Sequence, residues 1–226
     1  MEEPRYETKK DYIVRRLRQK ILDGEYGPGD RLKVRQLAQE FGTSEIPVRE
    51  AINQLAATGL VTITPHVGAV ATPVSSEDLT EIFEIRSALE ELATRLATER
   101  MPSEALQEIE RLAVALENAV EIGQEAEELN RLNRAFHMAI YRQSRNQRLV
   151  HMIEELWNHA GRYPAPLTGR DDNTYQSLRE HRAIIEALRS RDAERAARLT
   201  QEHKNRAMQR VIALVREHES SILRRR

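Results

Sequence analysis

Three histidines and an amide occupy helix positions where leucines would be expected. In the run LNRLNRAFHMAIY, Asn133 and His137 stand one turn apart on a stripe shared with Leu129, Leu132, Phe136 and Ile140. They share it because helix positions spaced by three and four lie on one face. His181 takes a similar place among Leu178, Ile184, Ile185 and Leu188, and His203 follows Ala196 and Leu199 and precedes Ala207. Arg86 falls on a fourth stripe, with Ile82, Ile85, Leu89, Ala93 and Leu96. Burying such groups without partners costs free energy, so they must meet something. One inward histidine is ordinarily a satisfied core residue. Three on separate helices, joined by an inward amide, fit a divalent transition metal such as zinc or nickel. A hydrogen-bonded polar core is the alternative. His151, His159 and His218 fall off their stripes or near a helix end and read as surface residues.

A metal with an open coordination position can activate water, so a metal-dependent hydrolytic enzyme is the rival function. That chemistry needs a general base beside the metal, and no carboxylate shares the stripes plainly. Glu90, one turn beyond Arg86, is the nearest, and it reads as the partner of a neighbouring basic group. The expectation is that the chain is not an enzyme.

The elements that must position these groups are helices. Beyond the polar joint TPVSSED, helical periodicity runs near 77–100, 103–121, 124–143, 146–160, 174–189 and 192–218, a pattern that predicts an all-α antiparallel bundle over 77–226. Residues 1–73 read differently. Ile13, Leu17 and Ile21 mark one short helix; Val34, Leu37, Ala38 and Phe41 a second; Val48, Ala51, Ile52 and Leu55 a third, with Ser44 placed to cap it. The stretch LVTITPHVGAVATPV then changes to β-branched residues around Pro65–Gly68, the mark of a hairpin. Helices joined by a tight glycine turn and followed by a hairpin make a winged helix-turn-helix, whose third helix enters the DNA major groove. The chain is therefore mainly α, in two domains. Net charge is only −1, so any nucleic-acid binding must come from local placement of basic groups. There is no cysteine to form disulfides or thiolate ligands, and no run of membrane-spanning or signal-peptide character. The expected location is the cytoplasm, with no membrane partner.

The segment PGDRLKVRQLAQEFGTSEIPVREAINQLAATGLVTITPHVGAVAT resembles the DNA-binding module of GntR-type bacterial transcription regulators. That resemblance gives DNA-contact roles to Arg35, Ser44, Arg49, His66 and Gly68. Where the family usually carries a basic residue, this chain has Glu45, which repels phosphate but can accept from a cytosine amine or orient Arg49. The later motifs DLTEIFEIRSALEELATRLA, N...FH and EHRAIIEALRSRDAERA resemble the FCD ligand-binding domain of the FadR branch. The resemblance implies a metal held by Asn133, His137, His181 and His203, an effector that is a small carboxylic acid clamped by Arg86, and a homodimer on an imperfect palindromic operator. It implies a repressor released by that acid. The family position of Asn133 is often Asp; an amide is a neutral, weaker ligand, so the site becomes one charge more positive and suits an anion. A helical domain that serves only as a dimerisation scaffold is the third reading.

Overall fold

The computed structural model describes residues 8–22, 25–26, 29–72, 75–161, 163 and 166–223; the side chains of residues 218–219 and 221–223, His218 among them, lie outside it, as does part of the 72–78 joint. The chain divides into two compact units. One takes Met1–Ser76 with Asn158–Tyr163 and His218–Arg226; the other takes Glu77–Trp157 and Pro164–Glu217.

In the first unit, α1 (Lys9–Leu22), α2 (Val34–Glu40) and α3 (Glu45–Ala57) precede an antiparallel hairpin of β1 (Val61–Thr64) and β2 (Gly68–Ala71). Ile13, Leu17, Leu37, Val48, Ile52 and Leu55, whose spacing marks three amphipathic helices, are buried together, with Leu60 beside them. Gly42 ends α2 at φ +58°, and Thr43 N–H returns to Ala38 O at 2.9 Å. A left-handed residue at this point lets α3 leave at a new angle, and glycine takes that conformation without strain. The hairpin pairs Val61 with Ala71 and Thr64 with Gly68. Its inner edge is held by residues 29–32, through Leu32 N–H to Ala69 O at 2.8 Å and Ala71 N–H to Asp30 O at 2.9 Å.

Helices α4 (Ser76–Arg100), α5 (Ser103–Ile122), α6 (Ala126–Arg142), α7 (Gln147–Ala160), α8 (Asp172–Arg189) and α9 (Ala193–Leu223) follow. α5 packs on α6 and on α8. The core of the second unit gathers Ala97, Ile109, Phe136, Ile140, Ile153, Ile184 and Leu188. Side chains close some of the helix ends. Asp171 accepts from Thr174 N–H at 2.7 Å at the start of α8, and the Arg191 guanidinium donates to the Thr98 carbonyl in the last turn of α4 and to the Met101 carbonyl just past it.

Two expectations need correction. The hydroxyl of Ser44 makes no capping hydrogen bond, although its backbone is extended as an N-cap requires. The buried row of α4 is also not the predicted one. Leu79, Phe83, Arg86, Glu90, Ala93 and Ala97 point inward, whereas Ile85 is 52% exposed and Ile82, Leu89 and Leu96 are half-buried. α4 carries apolar residues on two adjoining stripes, so periodicity alone did not say which one faces the core.

Candidate metal centre and nucleic-acid interface

Helix α6 places Asn133 and His137 one turn apart, α8 supplies His181 and α9 His203, and all four are buried. The imidazoles converge: ring centroids lie 4.8–5.1 Å apart pairwise. One ligating nitrogen from each falls within 4.8 Å of the others. His181 Nε2 and His203 Nε2 are 3.3 Å apart. Asn133 Oδ1, both nitrogens of His137 and His181 Nδ1 have no hydrogen-bond partner. Unsatisfied groups of this kind cost about 1–3 kcal/mol each when buried, and three imidazoles that bring one nitrogen each within 4.8 Å of the others, with unbonded ring nitrogens among them, fit a metal better than a finished core. Donor chemistry agrees. Burial pushes His137 and His181 well below the ordinary histidine range, with the nearby Lys204 charge adding for both, and takes His203 down to about 3. Neutral imidazole is the form that ligates. His203 Nδ1 meets the Glu180 carboxylate at 2.6 Å. With that proton donated to Glu180, Nε2 turns its lone pair toward the cluster, the orientation that outer carboxylates give to metal-bound histidines.

Beside the cluster lies a charged layer. Arg86 does not reach into the site as a free clamp: its Nε donates to Glu90 Oε1 at 2.9 Å and its Nη2 pairs with the same oxygen at 2.9 Å. Glu90 also accepts from Trp157 Nε1 at 2.8 Å and from the Tyr141 hydroxyl at 2.7 Å, and it faces Lys204 Nζ at 3.3 Å. Burial pushes the Glu90 carboxyl up, but Arg86, Lys204 and the Tyr141 hydroxyl outweigh it and hold it at about 2. Burial in turn lowers Lys204 to about 8. Such a saturated, firmly ionised carboxylate is no proton acceptor for neutral pH. The Trp157 ring carries Arg86 at 4.4 Å and Lys204 at 4.8 Å, and His137 lies 6.1 Å from it.

The pairing of Glu90 with a basic neighbour was expected from its spacing. Lys204, Tyr141, Trp157 and Glu180 were not singled out. Tyr141 continues the His137 stripe at i+4, and Lys204 sits at i+4 from buried Thr200 and i+7 from Ala197, so both had a signal in the spacing. Trp157 and Glu180 had none.

The residues assigned to DNA contact are all exposed. Arg35 stands in the first turn of α2, and Ser44 and Glu45 open α3. Glu45 Oε2 accepts from Arg49 Nη2 at 2.8 Å, one turn apart. His66 and Gly68 form the hairpin tip, with φ values of +63° and +93°. A non-glycine residue held left-handed costs about 1–2 kcal/mol, and His66 bears that cost at an exposed tip. His151 and His159 are exposed, as expected.

Comparison with known proteins follows the same division. The model described as bacterial regulatory proteins, gntR family, matches residues 9–70, and the FCD domain model matches residues 81–206. The chain is 33% identical over 190 residues to YdhC, an HTH-type transcriptional regulator of Bacillus subtilis, covering 84% of each chain. It is 33% identical over 182 residues to the HTH-type transcriptional regulator McbR of Escherichia coli, covering 79% of this chain and 81% of that one. The solved structure of McbR superimposes with a TM-score of 0.63 at 28% identity, over 94% of this chain and 99% of that one. GlaR, an HTH-type transcriptional repressor of Escherichia coli, is 28% identical over 194 residues, covering 83% and 88%.

Proposed function

The chain belongs to the GntR family of bacterial transcription regulators, in the branch with an FCD domain, and from that premise we propose that it is a dimeric repressor released from DNA by a small carboxylic acid. The acid binds at a metal held by Asn133, His137, His181 and His203. One observation carries this reading: three buried imidazoles from three helices bring one nitrogen each within 4.8 Å of the others, and the amide oxygen of Asn133, one turn before His137, has no hydrogen-bond partner. A divalent ion would take one nitrogen from each imidazole and would supply a Lewis-acidic point for a carboxylate, zinc or nickel being the ions that suit such ligands. Arg86 stands behind that point with its charge shared by Glu90.

The reading of DNA rests on the first unit. Arg49 on α3 contacts a base, while Arg35, Ser44, His66 and Gly68 meet the backbone or minor groove. The unbonded Ser44 hydroxyl is available for a phosphate. Glu45 releases Arg49 on the DNA and accepts from a cytosine amine, the kind of major-groove donor a carboxylate reads. Two copies pair along the outer row of α4, where Ile82, Ile85, Leu89, Leu92 and Leu96 recur at alternating three- and four-residue steps. Leu92 is 41% exposed there. A two-fold dimer then presents two readers to a palindromic operator. The acid acts only by binding better to the state that releases DNA.

Elemental analysis of tag-free protein tests the centre. Near-stoichiometric metal in the wild type, lost in both His137→Ala and His181→Ala, is the expected result. No metal after reloading with zinc, nickel and manganese sinks the assignment, while the DNA-reading role stands or falls separately, on salt-sensitive binding of duplex DNA.

A further inference from the structure

Charge inside the helical unit does not balance. Arg86 and Lys204 both face a single carboxylate, Glu90, and all three side chains are buried. The only other carboxylate contacting the cluster, among the described residues, is Glu180, and it is shared by Arg206 and His203 Nδ1. Imidazole nitrogens that ligate a metal bring no negative charge, and neither does the Asn133 amide. Two buried cations thus face one buried carboxylate, which leaves one positive charge over in the interior. It lies beside the histidines: Lys204 follows His203 in α9, and the Trp157 ring is 4.8 Å from the Lys204 ammonium and 6.1 Å from the His137 ring. A buried cation without a full countercharge is costly to hold. A divalent ion at the cluster adds to the surplus, because its ligands bring no negative charge.

We infer that Lys204 sets the charge class of the effector: the site takes a small dianionic acid, with one acid group toward the histidine cluster and the other at the Lys204 ammonium. This rests on the metal-and-acid reading above and narrows it. A monocarboxylate answers the metal and leaves the ammonium short of charge. A dicarboxylate answers both, and each charged hydrogen bond formed in a dry site is stronger than one formed in water. Glu90 holds Lys204 and Arg86 in place until the ligand arrives, so Lys204 acts as a binding residue and Glu90 as a positioning one.

The test uses full-length protein reloaded with zinc, its metal content checked by elemental analysis. Calorimetry at neutral pH compares acetate, propionate and butyrate with malonate, succinate and glutarate. At least one dicarboxylate is expected to bind about tenfold tighter than any monocarboxylate, the size of one charge-assisted hydrogen bond. Lys204→Met should cut that advantage to about twofold or less without releasing the metal, and Lys204→Arg should keep it. Should Lys204→Met not fold, Lys204→Gln takes its place. Monocarboxylates that match the dicarboxylates, binding by neither class, or a Lys204→Met loss equal for both classes each overturn the inference. Protein that takes up no metal yet prefers dicarboxylates through Lys204 sinks the metal reading and leaves this one standing.

Discussion

Two arginine–glutamate pairs, each one helical turn apart, sit in the two units under opposite conditions. Arg49 and Glu45 meet at 2.8 Å on the face of α3, with 63% and 46% of their side chains exposed; Arg86 and Glu90 meet at 2.9 Å inside the bundle, with 6% and 0% exposed. Water makes the first pair exchangeable. An exposed ion pair contributes about 0–1 kcal/mol, so phosphate or a base edge can take either partner at little cost. The second pair cannot be opened so cheaply, because each charge would then be stranded where nothing solvates it. The same two residue types at the same spacing thus make a reading surface in one place and a fixed electrostatic frame in the other.

Breaking the buried pair should have the largest effect. Arg86→Met leaves Glu90 with Lys204 as its only cation and is expected to destabilise the protein by about 3 kcal/mol, read from urea denaturation. A loss no greater than that of a surface substitution would show that Lys204, Tyr141 and Trp157 suffice. Next comes Arg49→Ala, expected to weaken specific DNA binding by about 1–3 kcal/mol with unchanged stability; equal loss on random duplex would make it a phosphate contact instead. The buried pair can also be loosened by acid. Glu90 has a folded pKa of about 2 against an ordinary value of 4.5, so its contribution is complete above pH 4.5 and drains away as pH falls toward about 2. The stability advantage of the wild type over Glu90→Gln should therefore shrink over that window, and a gap constant with pH would contradict the pairing. Smallest is Glu45→Gln, with a stability change within about 0.5 kcal/mol. Its effect should appear instead as an altered base preference in binding-site selection, and an unaltered preference would remove Glu45 from the base-reading set.

Much of this was legible in the residues themselves. The helix-turn-helix, the wing and the six later helices follow from apolar spacing, and the inward positions of Asn133, His137, His181 and His203 follow from the same rule. What spacing could not resolve was rotation about α4, where two apolar rows adjoin and only packing chooses between them. Spacing pairs Glu90 with a basic neighbour one turn away, but it does not show that Lys204, Tyr141 and Trp157 share the same carboxylate. Lys204 is the sharper lesson. A long ammonium side chain on a helix normally reaches water, so its burial depends on Glu90, which comes from an element more than a hundred residues earlier. α9 likewise runs on to Leu223, beyond the expected end near 218.

Trp157 is the only tryptophan in the chain. Its indole N–H is bonded to Glu90, and the cations of Arg86 and Lys204 lie against its ring. Indole emission shifts in colour and intensity with the charges around it. An anion that draws Lys204 or Arg86 aside would change that field directly. The protein therefore carries a built-in optical probe of its own interior, one signal per chain and no label required.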